Sequence, residues 1–126
     1  MRQAGQTLLT GATGFVGSAV ARALIGAGFP VRALVRPGSP RFHLGDLDLE
    51  FIEGDLRDAA SVGRAVKGAR YAFHVAADYR LWARDPHEIF AANVDGTRNI
   101  MQAALRAGVE RVVHTSSVAT LGLRPD

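Results

Sequence analysis

Three glycines spaced three apart, in Gly11 Ala12 Thr13 Gly14 Phe15 Val16 Gly17, stand between a short β-rich run ending at Thr10 and a helical pattern beginning at Phe15. Gly11 permits a tight turn, Gly17 lets the helix pack closely on the strand, and Gly14 leaves room for backbone to approach a ligand. Unpaired amides at the helix start favour an anion there. The rest of the chain repeats the same alternation. Short apolar runs at Thr7 to Thr10, Val31 to Val35, Leu49 to Glu53, Tyr71 to Val75 and Arg111 to Thr115 read as strands, and helical patterns separate most of them. Val16, Val20, Ala23, Leu24 and Ala27 recur at helical spacing between Phe15 and Ala27, before the stop at Gly28 and Pro30. Asp58 is placed to cap a helix over Ala59 to Val66, closed by Gly68. Asp85, Pro86 and Glu88 start a third, with a capping-box pattern, running to about Ala107 before Gly108. Arg36 to Asp48, with two prolines and two glycines, reads as a surface loop or a short irregular helix. Right-handed crossovers give an α/β doubly wound parallel sheet of order 3-2-1-4-5 with helices on both faces. Such sheets bind ligands beyond the carboxyl ends of their strands, beside strand 1.

Length and composition narrow the remaining classes. At 126 residues the chain is one folding unit or a piece of a larger one, and 48% hydrophobic against 21% charged residues excludes intrinsic disorder. It contains no Cys, so disulfides, thiolate metal sites and cysteine nucleophiles are excluded. Fourteen Arg and one Lys against 12 acids give net charge +3, but the arginines are scattered from Arg2 to Arg124 without a basic run, which argues against a nucleic-acid partner. Gln3 to Ala21 carries no charge, yet its glycines, threonines and glutamines interrupt any apolar block. A membrane span or signal core is therefore not expected, and the location implied is cytoplasmic.

The glycine turn fits a dinucleotide, since the phosphate loop of NTPases would need GKS or GKT, which is absent. Gly11, Thr13, Gly14, Phe15, Val16 and Gly17 are the expected holding residues. Arg36 lies 19 residues past Gly17, just beyond strand 2, where an NAD-specific protein would usually place an acid on the ribose diol. A guanidinium there can pair with a 2′-phosphate, so NADP is preferred and NAD is the alternative. Arg32 and Arg41 are less well placed. The four histidines show no metal-ligand spacing and no GxSxG surrounds Ser116 or Ser117, so metal catalysis and Ser/His hydrolysis are not expected.

With these residues in view, the chain resembles the extended short-chain dehydrogenase/reductases, including the NAD-dependent epimerase/dehydratases and dihydroflavonol reductase-like enzymes. The resemblance rests on the GATGFVG turn and on four further motifs in order: Gly54 Asp55 Leu56, His74 Val75 Ala76 Ala77, Asn93 Val94 Asp95 Gly96 Thr97 and Thr115 Ser116 Ser117. Ala76 to Pro86 looks closest to the hopanoid-associated sugar epimerase branch. The family's fold is Rossmann-like.

The resemblance implies roles residue by residue. Asp55 would accept from the adenine amino group, assisted by the Leu56 amide, although a loop Asp also caps nearby amides. Ala76 and Ala77 would line the cofactor. His74 is expected to be a satisfied core or strand-end histidine. Asn93, on the helix face of Ile89, Thr97 and Ile100, would either order the active site or satisfy strand backbone groups. Ser117 matches the catalytic hydroxyl that hydrogen-bonds the substrate oxygen, flanked by Ser116 at the cofactor; the other reading is hydroxyls capping the end of strand 5. Tyr79 and Trp82 are given no role.

The family's general acid/base is a Tyr with a Lys four residues later. Tyr71 is followed at that distance by Val75 and Tyr79 by Ala83, and Lys67 is preceded by Gly63. The resemblance therefore implies an N-terminal portion, a single NAD(P)-binding Rossmann domain over residues 1–126. The expected function is that portion of an oxidoreductase or epimerase working by hydride transfer on a small-molecule substrate such as a nucleotide-sugar, inactive alone, with homodimerisation through helices as an option. A non-catalytic NAD(P)-binding redox sensor is the alternative.

Overall fold

The computed structural model describes residues 5–78, 80 and 82–125; Tyr79 lies outside them. Strands β1 (Gln6–Thr10), β2 (Val31–Val35), β3 (Glu50–Glu53), β4 (Ala69–His74) and β5 (Arg111–His114) form one parallel sheet in the order β3-β2-β1-β4-β5. Helices α1 (Phe15–Gly26), α2 (Ala59–Val66), α3 (Pro86–Phe90) and α4 (Gly96–Ala107) connect them. This is the Rossmann-like arrangement expected.

The central strand is buried on both faces, Thr7 and Thr10 as well as Leu8 and Leu9, as expected of the middle of a parallel sheet covered by helices on both sides. Leu8 enters a core with Leu34, Val62, Val66, Ala72 and Ile100, and Leu9 enters a second with Ala21, Leu24, Ala33, Val35 and Leu44. So α2 and α4 cover one face and α1 the other. Each buried leucine contributes about 2 kcal/mol to holding the layers together.

Strand and helix bounds differ from expectation by small shifts: β3 begins at Glu50, β4 runs from Ala69 to His74, and β5 ends at His114. Three differences are more than end effects. First, α1 buries Gly17, Ala21 and Leu24, while Val16 is 51% exposed and Ala23 and Ala27 lie outside. The cause is Gly17, where an added Cβ would sit 1.7 Å from the Gly11 carbonyl oxygen. That contact sets the rotation of the helix, and an apolar pattern spread round most of its circumference could not. Gly17→Ala is expected to cost about 3 kcal/mol, because α1 must move off the turn. Urea unfolding would measure it, and a loss under about 1 kcal/mol would refute the contact.

Second, the third helix is not uniform. A π-helical turn, Ala91–Asp95, joins α3 to α4, and such turns re-aim side chains that a 3.6-residue period would place elsewhere. Third, the capping box is half made. The His87 amide donates to Asp85 Oδ1 at 3.0 Å, but the Glu88 carboxylate pairs with Arg80 instead of returning to the cap. Asp58 caps α2 as expected, accepting from the Ala60 amide at 3.1 Å. Within the loop after β2 there is one short 3-10 turn, Phe42–Leu44.

Candidate functional site

All five parallel strands end on the same edge, so the segments that follow them form a row. In sheet order these are Asp55 after β3, Arg36 after β2, the glycine turn after β1, Ala76 and Ala77 after β4, and Ser116 and Ser117 after β5. Four gaps of about 4.8 Å make that row about 19 Å wide.

The glycines of the turn differ in what surrounds them. Gly11 has φ +78°, and an added Cβ would lie 2.6 Å from the Ala76 nitrogen, so the end of β4 presses directly on it. Gly14 is different. Its backbone is ordinary (φ −84°, ψ 177°), and an added Cβ would find only the Gly11 carbonyl oxygen, at 3.5 Å. No packing among the described residues requires glycine there. The first intrahelical bond of α1 is Ser18 to Gly14 at 2.9 Å, which leaves the amides of Phe15, Val16 and Gly17 without backbone acceptors among the described residues. No side chain caps them either. A bare cradle ahead of three free amides at a helix N-terminus fits a diphosphate.

Arg36 is exposed and forms no ion pair among the described residues, whereas Arg32 is tied to Glu50 and the carbonyls of Ala65 and Lys67, and Arg41 to Glu53 and the Phe51 ring. Arg36 is thus the uncommitted guanidinium of the three. Asp55 is engaged: Oδ1 accepts from the Arg57 amide at 2.9 Å, and both oxygens accept from its guanidinium. The Arg57 side chain holds the Asp55 carboxyl below its ordinary value, burial opposes this, and the Arg36 charge adds a smaller lowering. Asp55 therefore does cap a nearby amide, and Arg57 joins the site unanticipated.

Asn93 sits on the π-helical turn and closes a pair of bonds with one residue. The Asp78 amide donates to its Oδ1 at 2.7 Å and its Nδ2 donates to the Asp78 carbonyl at 2.7 Å. It satisfies backbone, but that of the loop after β4 rather than of a strand. Ser117 accepts from the Ala119 amide at 3.1 Å, capping the short turn Val118–Thr120 after β5. Its own hydrogen has no acceptor among the described residues, so it remains free to donate outward. Ser116 is exposed, with no side-chain bond among the described residues.

Several residues at this edge carry weight that spacing did not reveal. Thr10 and His74 are register partners on β1 and β4. Thr10 Oγ1 accepts from the amides of Val75 and Ala76, both at 3.1 Å, and lies 2.8 Å from His74 Nδ1. His74 Nε2 lies 3.0 Å from Thr97 Oγ1 on α4, and the ring stacks on His114 at 5.3 Å. Burial, with a smaller contribution from His114, lowers the His74 pKa to about 4. It is the satisfied strand-end histidine expected. Ser61 and Asn99 brace the loop after β3: Ser61 Oγ accepts from the Asp55 amide at 3.0 Å, and Asn99 Nδ2 donates to the Leu56 carbonyl at 2.7 Å. The available signal was polar residues at the last position of adjacent apolar strands, legible once strands 1 and 4 are paired.

No helix among the described residues is long and apolar enough to cross a membrane. The model of the NAD dependent epimerase/dehydratase family matches residues 7–126. "Sterol demethylase protein B" of Methylococcus capsulatus is 46% identical over 119 residues, covering 94% of this chain and 36% of that protein. The crystal structure of gox2253 is 58% identical with a TM-score of 0.86, over 94% of this chain and 36% of that one. A short-chain dehydrogenase/reductase superfamily protein from Agrobacterium tumefaciens, solved with bound NAD, is 36% identical with a TM-score of 0.76, over 89% of this chain and 32% of that one. The chain thus spans about a third of the length of the curated relatives it matches. A strand order, a glycine turn and a family model that covers nearly every residue agree, and the chain belongs to the NAD dependent epimerase/dehydratase family.

Proposed function

We propose that this chain is the NAD(P)-binding portion of an oxidoreductase or epimerase that acts by hydride transfer at a secondary alcohol or ketone, with a nucleotide-sugar or similar small molecule as substrate. The observation that carries this reading is Gly14, a glycine whose missing side chain opens onto space in front of unpaired helix amides. The order of the row supports it: adenine and its ribose would lie by Asp55, Leu56 and Arg36, and the diphosphate by Gly11, Thr13, Gly14, Phe15, Val16 and Gly17. The nicotinamide would then lie past Ala76 and Ala77 toward Ser116 and Ser117. A bound nicotinamide supplies the hydride acceptor or donor. Ser117, with its hydrogen free, orients the substrate oxygen, and Asn93 acts indirectly by fixing the loop at Asp78.

Arg36 supports NADP as the preferred form, since its guanidinium is exposed, uncommitted and just past β2. Titration of the chain with NADPH and NADH is expected to favour NADPH by about tenfold, or 1.4 kcal/mol, and Arg36→Asp to reverse the order. Unchanged discrimination in that variant would remove Arg36 from the site.

A second reading is a redox-sensing module that binds the dinucleotide through the same glycine turn without catalysis. The coding sequence past Asp126 distinguishes the two: a Tyr-x-x-x-Lys there supports the enzyme, and its absence supports the sensor.

A further inference from the structure

We propose that His74 is a positioning residue for the dinucleotide site, acting through Thr10 to hold the end of β4 against the glycine turn. The ring is 1% exposed and meets hydroxyls from two different elements, Thr10 on β1 and Thr97 on α4. A hydroxyl has one hydrogen and two lone pairs. Thr10 Oγ1 already accepts from the amides of Val75 and Ala76, so its hydrogen is directed at His74 Nδ1, 2.8 Å away. Nδ1 is therefore the bare nitrogen, and Nε2 carries the hydrogen that it donates to Thr97 Oγ1. Burial, which keeps the ring neutral, preserves that acceptor.

The consequence falls on the backbone beside the turn. Val75 and Ala76 follow β4, and an added Cβ on Gly11 would lie 2.6 Å from the Ala76 nitrogen and 3.0 Å from the Val75 carbonyl carbon. The two strand ends thus approach too closely to admit any side chain on Gly11. Without an acceptor at Nδ1, the Thr10 hydroxyl turns to find another, its lone pairs leave the two amides, and the strand end loosens from the turn. Because the nicotinamide half would pass this point, the inference rests on the dinucleotide reading above.

The test compares His74→Leu, which removes both ring nitrogens, with His74→Asn, which restores a polar acceptor near the Nδ1 position but cannot reach Thr97. In the free chain, the Val75 and Ala76 amides are expected to exchange about tenfold faster in H74L, with those of α2 unchanged and H74N close to the parent. NADPH and NADH are expected to bind H74L about tenfold more weakly, and H74N within about threefold of the parent. A merely structural role would speed exchange throughout and would not be rescued by Asn. Thr10→Val, which keeps the shape and removes the acceptor, is expected to reproduce the H74L pattern and serves if H74L does not fold. Slow Val75 and Ala76 exchange in H74L or T10V, or equal impairment of H74N and H74L, overturns the proposal. If the parent binds neither nucleotide, the dinucleotide reading fails and takes the positioning role with it, while the exchange pattern still reports whether the hydroxyl clamp exists.

Discussion

A Gly14→Val chain is expected to fold and to bind no nicotinamide dinucleotide. Among the described residues an added Cβ meets only the Gly11 carbonyl oxygen, at ordinary van der Waals distance, and the backbone there is one that any residue adopts. The loss in stability is about 1 kcal/mol, the difference between glycine and valine at a helix N-cap. Circular dichroism and a urea midpoint would register that small change. Binding is another matter, because the isopropyl group fills the space that a diphosphate would need to reach the amides of Phe15, Val16 and Gly17. Fluorescence titration is expected to show affinity reduced by at least about a hundredfold, or 2.7 kcal/mol. The contrast with Gly17→Ala is the sharper control: there the backbone itself obstructs the new atom, and stability falls before binding can be measured. Parent-like affinity in G14V would place the ligand elsewhere.

Acidification is expected to unfold the chain through His74. In the unfolded chain this histidine takes a proton near its ordinary value of 6.5, whereas in the folded chain burial delays protonation to about 4. Between those values the unfolded state binds more protons, so stability is full above about pH 6.5 and falls as pH drops toward 4. The whole interval amounts to about 3 kcal/mol, most of it reached by about pH 5. Of the groups that face the ring, Thr10 and Thr97 do not titrate, and His114, stacked on it, opposes protonation further. Asp46, Asp55 and Asp78 lose their arginine-paired charges at lower pH, because those partners hold each carboxyl below its ordinary value. Urea midpoints from about pH 7 to 5 in the parent and in His74→Asn separate the two effects. The parent should lose stability over that range and the variant should not. Parallel curves would mean that the ring is accessible to protons in the fold.

Sheet order, helix positions and the glycine turn were legible in the sequence because they depend on local chemistry. Thr7 to Thr10 is a short β-rich run that ends directly at a glycine turn, Asp58 can cap only a helix that begins just after it, and three glycines in seven residues mark a close approach. Asp55 was legible as a candidate residue after strand 3, but its partner Arg57 was not, since an ion pair between near neighbours depends on the loop shape that Ser61 and Asn99 brace.

Other features stayed hidden because they came from contacts between distant segments. The buried face of α1 follows from the Gly11–Gly17 contact rather than from the spacing of its apolar residues. The π-helical turn carries Asn93 to the Asp78 backbone. The linkage of Thr10, His74 and Thr97 joins residues 64 and 23 positions apart. Periodicity and capping act within a few residues and so can be read in order along a chain. The rotation of a helix, the tautomer of a buried ring and the partners of a hydroxyl are set by whichever atoms fill the neighbouring space, and that is known only once the layers have packed.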